Sequence, residues 1–136
     1  MKLFCLSALL AAGSVALAAP AAVLPGAVTQ AFEAYTALPG KLVPLLEKAQ
    51  DKASATAVAS ELQNAMPAIY KSRELLHNMP RLTAAQNQQV RSQYGRRMRE
   101  EWARMYEQIG RLRNERCYQS AEFAEVFHLM CMMIER

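Results

Sequence analysis

Two Glu-x-x-His quartets stand in this sequence, Glu74-Leu75-Leu76-His77 and Glu125-Val126-Phe127-His128. Di-iron helical bundles build their metal centre from two such pairs plus one glutamate from each remaining helix. Glu33 and Glu107 occupy the right chain order to complete that set. Helix geometry argues against it. At 3.6 residues per turn, His128 lies about 130° from the mean direction of Phe123, Phe127, Met130 and Ile134, and Glu125 lies nearly opposite that stripe. His77 is about 90° off the apolar stripe of its own segment. With turns expected near residues 80 and 119, the two histidines are also roughly 35 Å apart along the bundle axis. Solvated pairs are the expected state, and Glu74, His77, Glu125 and His128 are retained as candidate metal ligands only.

A second set of donors sits near the C-terminus. His128, Met130, Cys131, Met132 and Met133 resemble a soft-metal cluster, because thioether and thiolate favour monovalent copper. The run from Phe127 to Ile134 is, however, apolar nearly all round, and helices of that kind are usually buried or shared with a partner. Core packing or oligomer contact is the expected role, with Phe127, Met132 and Met133 as contact candidates. Cys117 and Cys131 are candidates for a disulfide. A bridge within an antiparallel hairpin needs positions equidistant from the turn, with Cα atoms within about 7 Å. These two are centred on residue 124, whereas Ser120 puts the turn earlier. Three states stay open: Cys117 on a bent connection, pairing between chains, or free thiols. Hydrolytic chemistry has little material. Asp51 is the sole aspartate, and His128 and Cys131, sharing a face at i,i+3, have no third group to orient them. We read no catalytic residue, no cofactor and no enzyme.

The elements that would carry these residues are all helical. Val28, Phe32, Tyr35, Leu42, Leu46 and Ala49 mark a first helix, and Pro39-Gly40 and Pro44 predict a kink or two short helices in it. Ser54 is the expected N-cap of a second, carrying Val58, Leu62, Ala65, Ile69 and Leu76 and bending at Pro67. After a break at 77–80, Thr83 and Gln86 form a capping box for a third helix reaching about Arg116. Ser120 caps a fourth containing Phe123, Phe127, Met130 and Ile134. No β-type alternation, phosphate loop or repeat is present. The expected fold is all-α, a small antiparallel bundle of about four helices with one long Arg/Glu-rich third helix.

That third helix dominates the charge pattern. Eight of the eleven arginines fall between Arg91 and Arg116, whereas every lysine lies at or before Lys71. Five opposite-charge pairs stand at i,i+4: Arg96–Glu100, Arg97–Glu101, Glu100–Arg104, Glu107–Arg111 and Arg111–Glu115. The spacing predicts a self-neutralised, solvated face. Arg96, Arg97, Arg104 and Arg111 are also candidates for contact with a protein partner or an anionic envelope surface.

Residues 1–21 read as an export signal: Lys2, an apolar run from Leu3 to Leu17, then Ala16 and Ala18 in place for a cut before Ala19. About sixteen helical residues span roughly 24 Å, short of the roughly 30 Å hydrocarbon core. Export to the periplasm or the medium is expected, leaving one helical domain over 22–136 with no later membrane span. Losing Lys2 takes the formal charge from +4 to +3, and losing Cys5 leaves two of three cysteines in a disulfide-permitting space. Outside the cytoplasm, nucleic acid is not the expected partner.

The stretch Leu82-Thr83-Ala84-Ala85-Gln86 resembles the LTxxQ motif of small periplasmic helical proteins, including the Spy- and CpxP-like envelope-stress chaperones. Leu82, Thr83 and Gln86 occupy the motif positions. The resemblance implies an all-α, often dimeric cradle that binds unfolded clients through apolar and basic surface. This chain has no second LTxxQ and no Met/His-rich leader. The functional expectation is an exported, non-enzymatic helical protein acting through protein or envelope contacts or self-association. A chaperone of the LTxxQ type and a metal-binding helical module are the alternatives.

Overall fold

The computed structural model describes residues 21–135, so the leader and its cut before Ala19 lie, Ala21 apart, outside the described residues. Among these residues there are four α-helices and no strand: α1 Gly26–Lys48, α2 Lys52–His77, α3 Ala84–Asn114 and α4 Ala121–Glu135. The expected all-α bundle is what forms.

Local chemistry sets the helix starts. Thr83 Oγ1 accepts from the Gln86 N–H at 3.2 Å while Gln86 Oε1 accepts from the Thr83 N–H at 3.0 Å, closing the expected capping box. Ser120 caps α4, its Oγ accepting from the Phe123 N–H at 3.3 Å. The start of α2 differs from expectation by three residues. Asp51 is the N-cap, accepting from the Ser54 N–H at 2.8 Å, and Ser54 is its reciprocal partner inside the helix. A serine three residues after an aspartate completes a capping box, so the aspartate outranks it as the cap.

The prolines lie inside continuous helices. α1 continues through Pro39 and Pro44 as one helix rather than two, and α2 continues through Pro67. Each proline removes one intrahelical hydrogen bond, and burial of the apolar face outweighs that loss. Leu38, Pro39, Leu42 and Leu46 of α1 are all buried around these sites.

α1 packs closely on both α2 and α3, while α4 packs on α2. α3 and α4, though consecutive, approach each other far less closely. The main core is drawn from all four helices, with Leu42, Leu62, Ile69, Met105, Leu112, Phe123 and Met130 almost fully buried. A smaller cluster of Val28, Val90 and Tyr94, joined by Leu24, Phe32, Met79 and Leu82, lies at the other end. α4 has 15 residues against 31 in α3, so at 1.5 Å per residue it flanks only about half of it.

The splay of α4 originates in residues 116–119. Arg116, Cys117, Tyr118 and Gln119 have φ of 49°, 52°, 52° and 59°, a turn of left-handed backbone without a glycine. Each such residue costs roughly 1–2 kcal/mol. The turn is held by its own bonds, Tyr118 N–H to Glu115 O at 2.9 Å and Ser120 N–H to Cys117 O at 3.1 Å. Tertiary contacts add to them. Arg111 Nη1 donates to Tyr118 Oη at 2.8 Å, Thr56 Oγ1 and Ser120 Oγ are 2.7 Å apart, and Cys117 is buried.

Candidate functional site

Arginine side chains ring the solvent side of α3. Arg91, Arg96, Arg99 and Arg104 are exposed and make no ion pair among the described residues. None of the five expected i,i+4 pairs closes to 4 Å among the described residues. Exposed pairs of this type are worth only about 0–1 kcal/mol, too little to fix two long side chains in one geometry. Arg97 instead reaches Glu33 of α1, at 3.7 Å with both groups about half exposed. From Ala84 to Arg99, α3 carries four arginines and no carboxylate. The self-neutralised face expected from spacing is therefore an open cationic one over this half of the helix.

Arg111 is not part of that surface. Its Nη1 donates to Ala49 O at 2.9 Å and its Nη2 to Leu46 O at 2.7 Å, the carbonyls at the C-terminal end of α1. Its Nε donates to Gln108 Oε1 at 2.9 Å. The guanidinium thus closes orphan carbonyls where the helix dipole is negative, and ties α1 to the left-handed turn through Tyr118. This role has no signature in local spacing, because its acceptors lie some sixty residues away in the chain.

The thiols lie at the turn. Cys117 and Cys131 are both buried and free, and they line one cavity of about 300 Å³ together with Arg113, Arg116, Phe127 and His128. Of the three states left open by spacing, the described structure has the free thiols, with Cys117 on the left-handed turn and unbridged to Cys131. Burial pushes the Cys131 thiol up to about 11, opposed in part by Arg113, and burial also raises Cys117. Arg113 spends its charge on Glu135, at 2.8 Å.

The Glu-x-x-His pairs are kept apart. Glu74 and His77 are exposed on α2 beside Tyr70 and Arg73, with Glu74 bound to Lys71 at 3.0 Å. Glu125 faces a groove shared with Thr56 and Ser60 of α2, whereas His128 lines the thiol cavity. Among the described residues no three His, Cys, Asp or Glu groups come together as a metal site. The soft donors also diverge: Met130, Cys131 and Met133 are buried, and His128 and Met132 are exposed. Phe127 and Met133 are core residues, which leaves Met132 and Leu129 as the exposed large apolar groups of α4.

The LTxxQ residues perform structural work. Thr83 and Gln86 cap α3, Gln86 Nε2 also donates to Val23 O at 3.4 Å, and Leu82 packs on the Val28–Val90–Tyr94 cluster. Compared with known proteins, the chain matches no family model, no curated protein and no solved structure.

Proposed function

We propose that this chain is an exported, non-enzymatic helical bundle that works by electrostatic contact with an anionic surface of the cell envelope. The observation that carries the reading is the open arginine face of α3, with Arg91, Arg96 and Arg99 exposed in its carboxylate-free half, Arg104 exposed beside Glu101 and Glu107, and all four without an ion pair among the described residues. Unpaired guanidinium groups present fixed forks of donors that match carboxylate and phosphate. Attraction of a basic segment to an anionic membrane surface is worth about 1 kcal/mol per cation close to it. Four such groups support a reversible, salt-sensitive attachment.

Co-sedimentation with vesicles tests this. The protein should pellet with phosphatidylglycerol vesicles at low salt, stay in solution with phosphatidylcholine, and be released as salt rises. The quadruple Arg91, Arg96, Arg99 and Arg104→Gln variant should lose most of the binding. Equal binding by that variant would refute the assignment to α3.

A further inference from the structure

A second feature of the bundle points to a small-molecule site. A cavity of about 260 Å³ lies where the last turn of α4 meets the other three helices, and all four contribute to it. Its body is apolar: Leu38 of α1, Ile69 and Leu76 of α2, and Ile134 of α4, with the Trp102 ring of α3. Trp102 is stacked on Tyr35, with ring centroids 4.5 Å apart and 22° between the planes. Met133 and Ile134 of α4 line it opposite Trp102.

The polar groups around this apolar body are of one kind. Arg73 lies on its lining and makes no ion pair among the described residues. Its neighbour Glu74 is engaged by Lys71. The Trp102 ring lines the cavity, while its Nε1–H is fully buried with no acceptor among the described residues. Burial, with Tyr106 nearby, raises the Tyr35 phenol above its ordinary range. The cavity thus combines apolar and aromatic walls with one cation, and has no carboxylate among its described lining residues.

We propose that this cavity binds a small amphipathic carboxylate, its apolar body lying between the helices and its carboxylate on Arg73. An apolar body displaces poorly held water from the walls, and the guanidinium supplies a bidentate partner for the head group. The size suits a medium-chain fatty acid or a compact aryl carboxylate, at the small end of ligand pockets. The site is independent of the arginine face on α3.

Trp102 is the sole tryptophan of the chain, so its emission reports on the cavity directly. Titration of the full-length protein with decanoate below its micelle concentration should change that emission saturably. Decanol, of the same length without the charge, should bind about tenfold more weakly, the worth of one charge-assisted hydrogen bond. Arg73→Gln, a change at an exposed position, should weaken decanoate about tenfold and leave decanol unchanged. Ile134→Phe, which fills the cavity, should abolish the response to both with the helical circular dichroism retained. The proposal is overturned by an unsaturable response, by equal affinity for decanoate and decanol, or by full decanoate affinity in either variant.

Discussion

Arg111 and Cys131 show how far a side chain's role departs from its local pattern. Arg111 stands at i,i+4 from both Glu107 and Glu115, yet its guanidinium closes the carbonyls of Leu46 and Ala49. Truncation there leaves several acceptors without a charged donor, so Arg111→Ala should destabilise the fold by about 2–3 kcal/mol in urea unfolding. Arg96→Ala, at an exposed and unpaired position, should stay within about 0.5 kcal/mol. Arg111→Lys should recover little, because an ammonium cannot span two carbonyls, Gln108 and Tyr118 together. Cys131 makes a prediction about pH. Its folded thiol is raised to about 11 by burial, above its unfolded value. The proton is held more tightly in the folded state, so the associated stability is complete below the ordinary thiol range and is lost as pH rises towards about 11. The urea midpoint should fall between about pH 8 and about pH 10, and fall less in Cys131→Ala. Asp51 acts at the other end of the scale. The Ser54 N–H and hydroxyl hold its carboxyl below the usual range, so its contribution is present at neutral pH and lost in acid.

At the level of elements, the turn at 116–119 decides where α4 goes, and it makes the least intuitive prediction. Gln119 is exposed at φ 59°, in a conformation that disfavours side chains. Gln119→Gly should therefore raise stability by about 1 kcal/mol, although a glycine added beside a helix normally lowers it. Thr83→Ala should lower it by about 1 kcal/mol, since the capping box loses its acceptor. Both are read from chemical denaturation at one pH. The contrast between these sites explains what was legible in the sequence. The helices and the caps at Thr83 and Ser120 could be read because periodicity and capping are short-range chemistry. The left-handed turn could not be read, because Arg116-Cys117-Tyr118-Gln119 contains none of the residues that usually mark positive φ. Of the kink or two short helices expected at Pro39 and Pro44, the two-helix alternative does not form, since a proline's penalty is local while the burial that holds the helix together is tertiary. Of the candidate site, the arginines of α3 were visible but their pairing was not. Opposite charges at i,i+4 can meet, and exposed ones gain too little by doing so.

For the whole molecule, the packing of the described α4 on α2 and the charge of α3 mark two regions of the bundle. The end nearer the left-handed turn carries the four-helix core, the buried thiols and the Arg111 clamp. The other half carries the arginines from Arg91 to Arg99, with the aromatic cavity at the boundary between the two. No helix among the described residues is long and apolar enough to cross a membrane, so on our proposal attachment to an envelope rests on charge. Attachment of that kind weakens steeply with ionic strength, as the screening length falls from about 10 Å at 0.1 M to about 3 Å at 1 M. One measurement tests the export and the attachment together: fractionation of the cells that make this protein, a salt wash of the envelope fraction, and intact-mass determination of what is released. The account predicts a chain that begins at Ala19, sediments with the envelope at low salt and comes free at high salt. A full-length chain in the cytosol, or an envelope-bound chain that resists the salt wash, would contradict it.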